Sequence, residues 1–310
     1  MLKKILPIIM TIMIVFSIAG CSSQSKTSQN KVKKPDKIVI AYLPNEATSQ
    51  LTEYRHAIQK DMEKALGVKV QEYLCSDYNA AIEGMRTGKV DIANFGPLSY
   101  VQAHKRSKAV PLVVPALNSD KSKAGYYSYL ITQSNNNSIN SIQDLKGKSF
   151  AFVDPDSTSG NLVPSKAIID TLKDQNLTID ALHTNGKFFK SVTYSGAHQN
   201  GLLSVAKGDI DAAPCASDTF DLEIQKGDVD KNKIKIIYKS PIIPGSPVAI
   251  RGDLDPNFIK SVKNFYLKYD NDSYFKNFVG EKEGQKIRYV SAEDSDYKYI
   301  NDLATKFGLN

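Results

Sequence analysis

The sequence predicts an α/β protein of two lobes, each a mostly parallel sheet with flanking helices, joined by two hinge crossings. Three observations lead there. Short β-branched runs alternate with amphipathic segments from residue 37 onward, a helix-glycine-strand unit occurs twice, and residues 126–132 and 241–247 are suited to carry the chain between lobes. Alternating strands and helices favour a mostly parallel sheet covered by helices.

The chain begins with an export signal rather than with fold. Lys3 and Lys4 precede an almost unbroken apolar run over 5–18 that closes on Ile18-Ala19-Gly20-Cys21. This run is short of the roughly 18 to 20 residues that a membrane-spanning helix needs. A cysteine directly after Ile-Ala-Gly is the lipobox pattern, so residues 1–20 are expected to be removed and Cys21 acylated. Such an anchor holds a protein on the outer face of the membrane without a span, which makes the chain extracytoplasmic. Residues 21–36 are polar and lysine-rich with no apolar period, and are expected to form a disordered tether.

Of the formal charge of +7, residues 1–36 account for five through six lysines and Asp36, which leaves +2 for the rest. A basic face for nucleic acid is therefore unsupported. Roughly 270 residues remain to fold, enough for two domains of ordinary size. Cys75 and Cys215 have no metal or redox spacing and are expected to be free thiols.

Ile38-Val39-Ile40-Ala41 reads as the first strand. Leu51, Tyr54, Ile58, Met62 and Leu66 then fall on one face of a helix that Gly67 ends. A strand over 68–74 follows, then a helix capped by Asp77 and stopped at Gly88, then a strand over 90–95. The segment Met85-Arg86-Thr87-Gly88-Lys89-Val90-Asp91-Ile92-Ala93 is echoed by Val205-Ala206-Lys207-Gly208-Asp209-Ile210-Asp211-Ala212-Ala213. Two related lobes would produce this echo, and so would chance, because glycine caps are common. The division expected is 37–128 with 247–310 in one lobe and 129–246 in the other, ligand binding between them. From Asp255 the chain is expected to be helical and to pack on the first lobe.

The most unusual segment is Asp154-Pro155-Asp156-Ser157-Thr158-Ser159-Gly160, between a strand over 148–153 and a helix. A hydroxyl-rich turn at a helix N-terminus gathers N–H and O–H donors around a point that favours an oxyanion, and the helix dipole adds a modest positive field. Read locally, ordinary capping explains the same Asp and Ser, and local sequence favours it. His56, His104 and His183 suit surface positions, whereas His198 precedes a helix over 199–206 and offers a donor or a cap. No Walker A, GxGxxG, HExxH or GxSxG pattern occurs, so enzyme signatures are missing; no catalytic residue, metal or cofactor is expected.

Several ordered runs now form a pattern: Ser76-Asp77-Tyr78, Ile82-Glu83-Gly84-Met85-Arg86, Val90-Asp91-Ile92-Ala93, Phe95-Gly96-Pro97-Leu98-Ser99, Gly125-Tyr126, the turn over 154–160, Leu162-Val163-Pro164, and Lys239-Ser240-Pro241-Ile242-Ile243-Pro244-Gly245. Together they resemble the PhnD-type binding proteins of phosphate/phosphite/phosphonate ABC importers, over roughly residues 38–265. The resemblance implies a type II periplasmic-binding-protein fold that captures a small phosphorus oxyanion and delivers it to a permease. It also implies that Ser157, Thr158, Ser159 and His198 hold the oxygens and that Tyr78 and Tyr126 line the pocket. Where the family pairs two carboxylates with an aminoethyl ligand, this chain has Asp218 and Ser246, a departure that implies weaker preference for 2-aminoethylphosphonate. Other readings are a binder of a different oxyanion or organic solute and a secreted phosphoester hydrolase using His198 and Asp218. The first, as an amino-acid binder, would want an arginine at the motif positions, and the second a metal or activated nucleophile.

Overall fold

The computed structural model describes residues 34–309; the signal segment, Cys21 and most of the expected tether lie outside them. Lys34, assigned above to the tether, already donates from Nζ to Leu66 O at 2.8 Å.

The first lobe opens with strand β1 (Lys37–Tyr42), helix α1 (Thr52–Leu66), β2 (Lys69–Leu74), α2 (Tyr78–Arg86), β3 (Ile92–Asn94), α3 (Pro97–Ser107) and β4 (Val110–Leu117). Ile58, Met62 and Leu66 of α1 are buried, and Gly67 closes the helix at φ +65°, a left-handed position that glycine takes without steric cost. Asp77 accepts the Ala80 N–H and caps α2 as expected. β1 runs parallel to both β2 and β3 and is buried along most of its length, because a central parallel strand is covered on both faces.

A two-residue strand, β5 (Gly125–Tyr126), leads into the second lobe, which contains β6 (Ser128–Gln133), β7 (Ser149–Phe152), α4 (Val163–Thr171), α5 (Ile179–His183), β8 (Ser191–Tyr194), α6 (His198–Lys207), β9 (Ala212–Ala216), α7 (Ser217–Lys226) and β10 (Ile234–Lys239). The return passes through β11 (Ile243–Pro244) to β12 (Val248–Ile250), α8 (Pro256–Lys268) and β13 (Ile287–Ser291). The sheets run β13-β4-β12-β3-β1-β2 and β10-β6-β9-β7-β8, and β5 pairs with β11 as a two-stranded ribbon between them. The single crossing strand expected over 126–132 is thus two. Ser217 bonds both backbone groups of Tyr127, so the ladder changes partner there.

The two repeats superpose in logic as well as in sequence. The Asp91 carboxylate accepts the Val39 N–H of β1, and Asp211 accepts the Ser149 N–H of β7, both at 2.8 Å. Gly88 and Gly208 precede them at positive φ.

Three expectations need correction. The sheets are mixed rather than mostly parallel, because β12, β4 and β13 in the first and β6 and β10 in the second pair antiparallel where the chain crosses between lobes or returns. The C-terminal part is not wholly helical: β13 pairs antiparallel with β4, its buried Arg288 matched by Asp270, Asp272 and Glu281. A strand carrying a buried arginine looks polar in sequence. His183 is not a surface loop residue either; it ends α5, half-buried, with its ring edge-on to Phe152 at 4.7 Å.

Candidate functional site

Ligands of open α/β sheets bind beyond the carboxyl ends of the strands. Here the carboxyl ends of β1, β2 and β3 face those of β7, β8 and β9 across one cavity of about 420 Å³. All eight residues expected to bind ligand line it: Tyr78 beyond β2, Tyr126 and Ser246 at the ribbon, Ser157, Thr158 and Ser159 beyond β7, His198 beyond β8 and Asp218 beyond β9. Six are buried, Ser246 is half-buried and Asp218 is open to the cavity.

The turn after β7 owes its shape to Gly160, where a Cβ would come within 2.3 Å of the Val153 Cβ. Ser157 then starts a wide helical turn, Thr158–Leu162, that continues into α4. Ser157 Oγ accepts the Gly160 N–H at 3.0 Å, and Thr158 Oγ1 accepts the Leu98 N–H from α3 at 2.8 Å. Capping, the local reading of this segment, is therefore present, and the hydroxyl protons point to neighbouring hydroxyls rather than to the backbone, Ser157 to Tyr78 and Thr158 to Tyr126.

His198 opens α6 rather than preceding it; the N-cap is Ala197. The Ala216 N–H donates to His198 Nδ1 at 3.1 Å, so the proton of the neutral ring sits on Nε2. Nε2 lies 3.2 Å from Ser159 Oγ, which must then accept. Burial lowers the His198 pKa to about 3, so the ring supplies a donor without supplying charge. Tyr78 follows the same rule: Asn45 Nδ2 donates to its hydroxyl at 2.6 Å, while Asn45 Oδ1 accepts the His198 N–H at 2.8 Å and thereby fixes the amide's orientation. Four hydroxyls, those of Tyr78, Ser157, Thr158 and Ser159, thus have a lone pair taken by the frame, and their protons meet other hydroxyls of the cavity, Ser157 against Tyr78, and Thr158 and Ser159 against Tyr126. Tyr126 stands among Ser159, Thr158 and Ser246, its pKa raised by burial.

Cationic side chains are scarce. Among the described residues lining the cavity, Lys226 is the one lysine or arginine, and it lies 3.3 Å from Glu223. Positive potential comes instead from the N-termini of α2, α3, α6 and the turn into α4. The other end of the cavity is acidic. Glu46 was missed in the sequence, as were Asn45 and Asn94, although the positions just beyond β1 and β3 could have flagged them. Asn94 Nδ2 donates to Glu46 Oε1, and Glu46 Oε2 has no partner among the described residues. Burial raises the Glu46 pKa to about 8, and the nearby Asp218 adds to the rise. The Asp218 carboxyl is also raised, chiefly by burial. No cluster of three metal-ligating side chains occurs among the described residues. Cys75 and Cys215 are buried free thiols, Cys75 in the core behind Tyr78 and Cys215 in β9.

A family model described as an ABC transporter, phosphonate, periplasmic substrate-binding protein matches residues 40–297. The phosphate-import protein PhnD of Mycolicibacterium smegmatis is 31% identical over 300 residues, 94% of this chain and 92% of the relative. A binding protein component of an ABC phosphonate transporter from Pseudomonas aeruginosa superposes with TM-score 0.74 at 26% identity, covering 89% of this chain and 87% of that one. PhnD1 from Prochlorococcus marinus (MIT 9301), solved in complex with methylphosphonate, shares the fold with TM-score 0.74 at 22% identity over 89% of this chain and 100% of that one.

Proposed function

The chain belongs to the family of periplasmic substrate-binding proteins of phosphonate ABC transporters, and on that premise we propose that its cavity captures a small phosphorus oxyanion for delivery to the permease. A protein of this family works outside the cytoplasm as the binding component of an importer, not as an enzyme. Lipid attachment at Cys21 is the finer part of the proposal: it keeps the binding protein at the membrane face where its permease sits.

The observation that carries the reading is the set of four hydroxyls, each with a lone pair taken by the frame, gathered on one cavity. Donors fixed in advance, at helix N-termini and without cations, suit an oxyanion whose oxygens accept several hydrogen bonds. Tyr78, Ser157, Thr158, Ser159 and His198 would hold the phosphoryl oxygens, Tyr126 would close over them, and Asp218 and Ser246 would meet the substituent on phosphorus.

The cavity of about 420 Å³ lies within the range of small-molecule sites, roughly 300–1,000 Å³, and leaves room for an organic substituent beyond the phosphoryl group. A ligand ammonium would face Asp218 and Glu46. Ionising Glu46 to meet it costs the free energy that its raised pKa represents, so 2-aminoethylphosphonate is expected to bind less tightly than methylphosphonate.

Calorimetric titration of the ligand-stripped chain from Ser22 with phosphate, phosphite, methylphosphonate and 2-aminoethylphosphonate tests this. Tight binding of at least one, lost in Ser157→Ala and in His198→Ala, is the expected result. Heatless titrations with all four would overturn the phosphorus-ligand reading.

A further inference from the structure

Helices α3 and α6 start on residues that cannot cap them. Their N-cap positions are Gly96 and Ala197, and neither provides a side-chain hydrogen bond. In each case the cap comes from the opposite lobe. Thr158, beyond β7 in the second lobe, accepts the Leu98 N–H of α3 at 2.8 Å, and Asn45, beyond β1 in the first lobe, accepts the His198 N–H of α6 at 2.8 Å. We infer that closure of the two lobes is held by this reciprocal pair of helix caps, with Asn45 as the positioning residue that ties closure to the ligand site.

Asn45 suits this role because its other amide end, Nδ2, donates to the Tyr78 hydroxyl at 2.6 Å. One side chain therefore joins a first-lobe hydroxyl to a second-lobe helix. Separating the lobes breaks the His198 bond, and it also frees the amide that directs the Tyr78 proton. Closure thus brings the two lobes together and aims a donor in the same movement. The rest of the seam is mixed: first-lobe Leu98 and Val101 share an apolar cluster with second-lobe Val153, Leu162 and Val163, and further polar bonds cross beside it. Tyr78 N–H reaches Asp154 at 3.3 Å, Gln102 reaches Asp156 at 2.9 Å and Gln199 reaches the Pro44 carbonyl at 3.4 Å. A helix cap shifts an equilibrium by roughly 2- to 30-fold, so two caps are enough to bias closure without locking it.

The proposal rests on the reading of Tyr78 and His198 as ligand residues, and the test separates the two ideas. Methylphosphonate and inorganic phosphate are the probes, read by stopped-flow tyrosine fluorescence and by the radius of gyration with and without ligand. Asn45→Ala is expected to raise the dissociation rate about tenfold with little change in association rate, and to reduce ligand-induced compaction. Its ligand-free melting temperature should match that of the parent. Asn45→Asp keeps an acceptor for His198 but turns the Tyr78 proton away from the anion, so it should bind more weakly than Asn45→Ala.

Ala197→Ser gives α6 a cap of its own, which should raise ligand-free stability while lowering affinity, a pair of opposite signs that a merely structural role for Asn45 would not produce. If Asn45→Ala binds, compacts and releases like the parent, or Ala197→Ser leaves affinity unchanged, the reciprocal caps are wrong while the site stands. If the parent binds none of the phosphorus compounds, the site reading fails and the cap proposal falls with it.

Discussion

The two lobes are built on one plan and present different chemistry at corresponding strand ends. In each, a glycine at positive φ turns a helix into a strand, and an aspartate beside that strand accepts a backbone N–H of its parallel neighbour, β1 or β7. Asp91 does so with Arg251 at 2.8 Å as counter-charge, whereas Asp211 takes the Ser149 hydroxyl instead. Beyond β1 the chain offers an amide and a carboxyl, Asn45 and Glu46, and beyond β7 it offers three hydroxyls. Main-chain-directed side chains repeat because the frame repeats, while the loops at the strand ends are free to diverge and carry the function.

The sharpest way to break this comparison is to remove the two aspartates in turn. Asp91→Ala removes the buried partner of the Arg251 guanidinium and leaves it with the exposed Asp253, which should cost about 3 kcal/mol. Asp211→Ala leaves no charge behind and should cost about 1–2 kcal/mol. Denaturant unfolding measures both, and equal losses would show that Arg251 adds nothing to the first lobe.

Next comes the turn that sets the second lobe apart. Gly160→Ala forces a methyl group against Val153 and displaces Ser157 and Ser159 at a cost of about 2 kcal/mol. If that cost falls on the bound state, Kd for methylphosphonate rises roughly thirtyfold by titration calorimetry. Unchanged affinity would mean that the hydroxyls do not hold the anion.

Glu46 gives the first lobe a pH dependence of its own. Its folded pKa of about 8 stands above the ordinary 4.5, so its contribution is whole below pH 4.5 and is lost as pH rises through 8. Glu46→Gln should therefore raise the melting temperature at pH 8 by a few degrees, roughly 2–4 °C for each kcal/mol, and leave it nearly unchanged at pH 4.5. Equal shifts at the two pH values would show that Glu46 is ionised throughout.

The smallest effect is expected at His198. Its folded pKa is depressed to about 3, so its contribution to stability is present above 6.5 and is lost as pH falls towards 3. In the folded protein the ring stays neutral from pH 5 to 8, and its imidazole NMR signals should not move across that range. A midpoint near 6.5 would place a charged ring in the proposed anion site.

Much of this was legible in sequence where a local rule was enough. Gly67 and Asp77 marked helix ends through backbone conformation and capping, and the Gly88 and Gly208 echo marked the repeat. β13 was hidden because its pairing with β4 is non-local and its arginine is neutralised by residues that come before it in the chain. His183 was misplaced for a similar reason: its ring is docked by an aromatic cluster that no local pattern announces. The eight residues expected to bind ligand follow from the family resemblance of ordered motifs, and the structure brings all of them to one cavity. Their polarity was not readable, because which partner donates depends on Asn45, Leu98, Gly160 and Ala216.

By itself, then, the sequence determined the two-lobed α/β plan and the residue types at the strand ends, since periodicity, caps and turns act within a few residues. Tertiary structure alone decided that Asn45 and Thr158 cap helices of the opposite lobe, that the Ala216 N–H meets His198 Nδ1, and that burial raises the Glu46 pKa. Each of these depends on desolvation and hydrogen bonding between segments that only the fold brings together: the two caps cross between lobes, His198 meets Ala216 from the next strand, and Glu46 is buried against Asn94.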